Sequence, residues 1–267
     1  MADLSKRCGL KGQVALVVGA SRGIGKAIAL RLAQDGADVA LAARTIAALE
    51  EVCIEIRDIG PRALAIEADV CNQADVETMV ARTVEAFGHV DILVYNSGVL
   101  WVAPVAETSD EIWEKTLGVN LVGAARTVRE VLGRGRMLER QQGRIIFVAS
   151  EAGKVGELGL GAYAASKHGM LGLIRCLGLE LGPEGITANA VCPGLIHTEM
   201  AENVIRDVGK MYGAPDNNAA RLEWAKDFDP QKRVAVPEDA AAVVAYLASD
   251  DAGAMTGQAL NMATKIV

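Results

Sequence analysis

Tyr163 and Lys167 stand four residues apart in Tyr-Ala-Ala-Ser-Lys, so a helix through them presents both on one face. A phenol with a pKa near 10 is a poor base at neutral pH, and an ammonium beside it favours the phenolate. The pair is a candidate acid–base centre. A second cluster follows the apolar run Val14 to Val18 and reads Gly19-Ala-Ser21-Arg22-Gly23-Ile24-Gly25. Glycines there allow positive φ and close backbone approach, and a helix starting after them offers free N–H groups to a phosphate. The spacing is G-x-x-x-G-x-G, not the G-x-G-x-x-G of the general dinucleotide fingerprint. That fingerprint also expects an acid about 20 residues on, at the end of the second strand, to hold the ribose hydroxyls. Here that run ends in Ala42-Ala43-Arg44, and Asp38 sits at its wrong end. A missing carboxylate and a guanidinium suit a 2′-phosphate, with Arg22 as a second positive charge. These residues favour NADP(H) over NAD(H).

Both clusters need a frame to hold them. Short apolar runs recur along the chain: Val14–Val18, Val39–Ala43, Ala63–Ala68, Asp91–Tyr95, Arg144–Ala149, Ile186–Val191 and Gln258–Met262. They are rich in Val, Ile and Leu without clean polar alternation, as strands covered on both faces should be. Amphipathic stretches lie between them; Ile24, Ile28 and Leu32 share one helix face. Alternating strands and helices predict an α/β, doubly wound Rossmann fold, a seven-stranded parallel sheet with helices on both faces. Ligands of such sheets sit beyond the carboxyl ends of the strands, where both clusters fall.

The 267 residues carry no repeat or linker, so one domain spans 1–267, with 1–11 as an N-terminal extension. At 51% hydrophobic the chain can bury a large core, which excludes disorder. A net charge of -7 argues against nucleic acid or an anionic membrane as partner. The longest uncharged stretch, 92–106, is too short for a spanning helix. Five scattered cysteines without C-x-x-C spacing, and a polar start without a signal-peptide core, fit reduced core thiols in a cytoplasmic protein. His89, His168 and His197 form no ligand spacing, so no metal is expected.

The chain resembles the classical short-chain dehydrogenase/reductase family over nearly its whole length. The elements that carry the resemblance occur in order: Gly19-x3-Gly23-x-Gly25, Asp69-Val70, Asn96-Ser97-Gly98, Asn120, Ser150, Tyr163-x3-Lys167 and Pro193-Gly194. It implies that Tyr163 gives a proton to a carbonyl oxygen in reduction or takes one from an alcohol in oxidation. Lys167 would lower the phenol's pKa and bond the nicotinamide ribose. Ser150 would orient and polarise the carbonyl, and Asn120 would bind a water relaying protons to Lys167. Asp69 and Val70 would border the adenine, Asn96 and Gly98 would line the cofactor, and Pro193, Gly194, Ile196 and Thr198 would wrap the nicotinamide. The usual assembly of the family is a homotetramer, with a homodimer the other expectation.

Three positions depart from the family pattern. Val18 stands where Thr is usual, which removes a hydrogen bond from the glycine turn. Tyr95 precedes Asn96 in place of a second Asn, and no Asp-Gly-Gly follows the last strand. Helices of similar pattern occur in 3-oxoacyl-carrier-protein reductases. Gln141 and Glu184, however, occupy places where those enzymes carry carrier-docking arginines. The expected substrate is a small ketone, or a 3-oxoacyl group on another handle. Residues 199–230, with Met211, Tyr212, Trp224 and Phe228, form a candidate substrate lid. Leu100, Trp101, Val155, Leu158, Leu160 and Met200 are candidate apolar walls, with Glu151 as the nearby charge. Rival readings are an NAD-dependent secondary alcohol dehydrogenase and a catalytically silent nucleotide-binding regulator on the same scaffold.

Overall fold

A computed structural model describes residues 9–212 and 231–262. The predicted strands form at all seven places, with ends shifted by no more than two residues. They are β1 Val14–Val18, β2 Asp38–Ala43, β3 Ala63–Glu67, β4 Ile92–Tyr95, β5 Gly143–Val148, β6 Ile186–Pro193 and β7 Ala259–Met262. Every pairing is parallel and the order is β3-β2-β1-β4-β5-β6-β7. The order reverses between β1 and β4, which opens a crevice at their carboxyl ends.

Strand side chains alternate between two cores. Leu16 and Val18 pack into one with α3 (Gln73–Phe87), α5 (Gly123–Gly133) and α7 (Gly161–Leu181). Ala15 and Val17 pack into the other with α1 (Gly23–Gln34), α2 (Ile46–Ile59) and α9 (Pro237–Ala248). Both faces are therefore covered, which is why the strand sequences lack polar alternation. Ile28 and Leu32 of α1 are fully buried, as their spacing predicts. The short α6 (Met137–Arg140) precedes β5, and α8 (Glu199–Tyr212) follows β6. Residues 1–8 of the extension and 213–230 of the candidate lid, with Trp224 and Phe228, lie outside the described residues. Among the described cysteines, Cys53 and Cys192 are buried, whereas Cys71 and Cys176 are exposed and not core residues.

One feature of the chain was not visible as periodicity. The helix begun by α4 (Asp110–Leu117) runs into α5 through a π-helical turn, Gly118–Val122. Backbone angles stay helical at both joints, so this is one helix with one wide turn. The hydroxyl of fully buried Tyr95 donates to the Val119 carbonyl at 2.5 Å and fixes that turn to the end of β4.

The amino ends of the strands are held by charge. Buried Asp91 accepts the Val14 N–H and His89 Nε2 on one oxygen and Arg140 on the other, all at 2.8 Å. Asp38 accepts the Arg62 Nε and backbone N–H at 2.8 Å, so the acid at the wrong end of β2 serves the frame. Replacing Asp91 by Ala leaves a buried N–H and a guanidinium without their acceptor. The variant is expected to lose about 3 kcal/mol in urea unfolding, far more than an exposed carboxylate would.

Candidate functional site

The glycine turn is built by close approach. Gly19 has φ +85°, and a Cβ there would fall 2.7 Å from Ser97 N. A Cβ on Gly25 would fall 2.0 Å from the Gly19 carbonyl oxygen and 2.6 Å from Asn96 Nδ2. The space is taken by a hydrogen bond, since Asn96 Nδ2 donates to Gly19 O at 2.8 Å. Val18, at the usual Thr position, is buried in the core. The turn is steadied instead by Asn96 and by the Ala42 carbonyl, which accepts the Gly19 and Ala20 N–H groups. Arg22 is the N-cap of α1 but its side chain makes no bond to the first turn. The first N–H groups of α1 therefore have no side-chain acceptor and suit an anionic ligand.

A cleft of about 1020 Å³ runs along the carboxyl ends of the strands. One end is lined by Ser21, Arg22, Gly23, Arg44, Asp69 and Val70, the other by Ser150, Tyr163, Lys167, Pro193 and Gly194. Gly19, Ile24, Asn96, Gly98, Ile196 and Thr198 complete the predicted set on its walls. Gly25 and Asn120 do not line it: Gly25 lies under the turn, and Asn120 is fully buried behind Val99. The Asn120 amide is bonded on every side. Its oxygen accepts the Val99 N–H at 2.8 Å, and its nitrogen donates to Val99 O at 3.0 Å and Ser166 Oγ at 2.9 Å. Ser166 in turn donates to the Tyr163 carbonyl at 2.7 Å. The Asn120 side chain thus ties the π turn to α7, and Ser166, Tyr95 and Val99 are site-building residues to which sequence motifs gave no role. Ser166 had a signal in its place inside Tyr-x-x-Ser-Lys, and Tyr95 in its departure from the family pattern before Asn96.

At the catalytic end, β5 and β6 run in register with Val148 opposite Val191, which sets Ser150 beside Pro193. The Ser150 hydroxyl donates to the Pro193 carbonyl at 3.5 Å and accepts the Ala152 N–H at 3.2 Å. Burial pushes the Tyr163 phenol up to about 12, against the pull of the Ser150 hydroxyl beside it. Lys167 is buried and pushed down to about 8 by desolvation. Its ammonium donates to the Val148 carbonyl at 2.9 Å and lies 5.5 Å from the Tyr163 ring centroid. Burial sets the direction of both shifts and outweighs the expected lowering of the phenol by Lys167, and one of the three ammonium N–H groups is used on a strand carbonyl.

Other expectations sort by position. Leu100, Leu158, Leu160, Met200 and Glu151 line the cleft, but Trp101 and Val155 do not; Trp101 lies under Lys115 Nζ at 5.5 Å. Thr198 Oγ1 is occupied at the start of α8, donating to Ile196 O and accepting the Ala201 N–H, both at 3.2 Å. Gln141 donates to Glu184 at 3.3 Å, at the amino ends of β5 and β6, away from the cleft. Among the described residues no group of His, Cys, Asp and Glu is arranged to hold a metal ion, and no helix is long and apolar enough to cross a membrane.

The family model for short chain dehydrogenases matches residues 13–209. The chain belongs to this family. Its relatives include the 3-oxoacyl-[acyl-carrier-protein] reductase of Synechocystis sp., 37% identical over 255 residues, covering 95% of this chain and 96% of the relative. Among solved structures, an actinorhodin polyketide ketoreductase variant with NADPH is 40% identical, with a TM-score of 0.90 over 94% of this chain and 96% of that one. An NAD+-bound xylitol dehydrogenase is 31% identical, with a TM-score of 0.91 over 96% and 99%. The short-chain dehydrogenase fold and its NAD(P)-dependent exchange of ketone and alcohol thus apply here.

Burial of Lys167 has a measurable cost. Its pKa is about 8 in the folded ligand-free chain and near 10.5 when unfolded. Between these values the unfolded state binds more protons, so stability rises with pH. Relative to Lys167→Met, the ligand-free protein should gain stability from pH 8 to pH 10 in urea titrations. A flat difference would mean that the ammonium carries no desolvation cost.

Proposed function

We propose that this short-chain dehydrogenase is an NADP(H)-dependent oxidoreductase acting on a small ketone or 3-oxoacyl group, with Tyr163 as acid/base. What carries the reading is the pairing of two ends in one cleft. Arg44, which holds no ion pair among the described residues, stands at one end, and Ser150, Tyr163 and Lys167 converge at the other. The group that would sit between them fits the chain: the first turn of α1 offers N–H groups to a pyrophosphate, and Arg44 offers a fork to a 2′-phosphate. The bound nicotinamide supplies the hydride; the chain supplies the rest.

A phenol raised to about 12 stays protonated at neutral pH, which suits giving its proton to a carbonyl oxygen as negative charge develops there. Ser150 Oγ, beside the phenol, would hold that oxygen and orient the carbonyl. Lys167 would hold the nicotinamide ribose and recharge Tyr163, and Asn120 would bind a water that relays protons to Lys167. Asp69, Val70, Asn96 and Gly98 would border the adenine and ribose, with Pro193, Gly194, Ile196 and Thr198 on the nicotinamide side. Apolar Leu100, Leu158, Leu160 and Met200 favour an alicyclic, aromatic or medium-chain ketone. The helix α8, the described part of the candidate lid at 199–230, would cover it. The protein would work in the cytoplasm on small molecules, as a homotetramer or homodimer, without nucleic acid, membrane or metal.

Replacing Tyr163 by Phe should lower turnover by about 10²–10⁴-fold while cofactor binding persists. Unchanged activity in that variant would point to the silent regulator. In steady-state assays against a ketone panel, NADPH should be preferred over NADH, and Arg44→Gln should erase about tenfold or more of that preference. A native preference for NADH would reverse the cofactor assignment.

A further inference from the structure

The two walls of the cleft come close beside the glycine turn: Ile24 packs against the cluster of Ile196, and a Cβ on Gly23 would lie 3.4 Å from Thr198 Cγ2. Beside this contact the Arg22 guanidinium reaches across and donates to Glu199 Oε2 at 2.5 Å. Both side chains are well exposed, at 77% and 67%. Glu199 is the first residue of α8, and the same helix gives Met200, Ala201, Val204 and Ile205 to the cleft wall. The Thr198 hydroxyl is already used in capping that helix, so among the described residues the ion pair is the polar link between turn and helix. Of the two guanidinium groups expected to meet a 2′-phosphate, Arg44 holds no ion pair among the described residues, whereas Arg22 is paired with Glu199.

We propose that Glu199 competes with the cofactor's 2′-phosphate for Arg22, so that it sets cofactor discrimination and ties phosphate capture to the placement of α8. The proposal rests on the NADP(H) reading. A phosphate carrying up to two charges, with paired oxygens, draws a guanidinium more strongly than a solvated carboxylate of one charge. Once Arg22 turns to it, Glu199 loses its partner, but its charge remains tolerable at a helix N-terminus. Among the described residues the packing of Ile24 against the cluster of Ile196 then remains between the glycine turn and the segment before α8, and the substrate wall gains freedom to adjust. A cofactor lacking the phosphate leaves the pair closed. Substrate affinity therefore depends on which cofactor is seated, and the dependence is reciprocal.

The test is equilibrium titration of the full chain with NADPH and NADH, read by cofactor fluorescence, at low and high salt. The wild type is compared with Glu199→Gln, Arg22→Gln, the double variant and Arg44→Gln. Glu199→Gln should bind NADPH about two- to fivefold more tightly and NADH unchanged, because an exposed ion pair no longer has to open. The gain should vanish in the Arg22→Gln background and shrink at high salt. An unchanged NADPH affinity, an equal change for both cofactors, or the same gain without Arg22 overturns the proposal. Arg44→Gln separates the two levels. If it removes the NADPH preference while Glu199→Gln does nothing, the competition fails and the cofactor reading stands. If the wild type and Arg44→Gln both bind the two cofactors alike, the NADP(H) reading fails and the competition with it.

Discussion

The distance between α1 and the carboxyl ends of β1 and β4 governs the cofactor end of the cleft. The Gly19 carbonyl lies where a side chain on Gly25 would have to be, and the Asn96 amide closes on the same oxygen at 2.8 Å. Both ends of the glycine turn and Asn96, 77 residues further on, thus meet at one carbonyl. A side chain at Gly25 would have to push α1 away from that oxygen and from the Asn96 amide, and the first N–H groups of the helix would move with it. Arg22 and Arg44 depend on the same lock, because one leaves the turn and the other ends the strand whose Ala42 carbonyl holds the turn.

Much of this was written plainly in the residues. Unbroken Val, Ile and Leu runs marked strands covered on both sides, and all seven formed. The four-residue step from Tyr163 to Lys167 placed both on one face of α7, inside the cleft. The family resemblance collected most of the cleft residues, because its motifs fall at strand ends. What escaped had no local signature. Nothing in the types of residues 118–122 marks a wide turn, and the Tyr95 hydroxyl that holds it lies 24 residues from its acceptor. The Arg22–Glu199 pair joins positions 177 apart. The direction of the Lys167 ammonium also could not be read from spacing, since i and i+4 fix a face and leave the last rotamers open. It was wrong to count Trp101 and Val155 among the cleft walls, for apolar type alone does not say which way a loop residue turns.

The sheet divides labour between its two ends. At the amino ends, Asp91 and Asp38 are consumed by bonds to backbone and arginine, and none of that charge faces the cleft. At the carboxyl ends, polar groups converge on a shared space and some are held at a cost, as the desolvated Lys167 is. Stability and chemistry are thus supplied by different residues on the same strands. The connections at one end can change while the other keeps the frame intact.

The π turn confines the effect of a change in length to itself. Asn120 reaches Val99 and Ser166 because the helix from 110 to 133 accommodates one more residue than regular winding would place there. A chain shorter by one between 118 and 122 would wind as an ordinary helix, with α4 and α5 still presenting their present faces to the core. What would be lost is the bulge: Asn120 would leave Val99 and Ser166, and the Val119 carbonyl would leave the Tyr95 hydroxyl. A descendant of the protein can therefore drop that residue and keep its packing, while the tie between this helix and α7 comes apart.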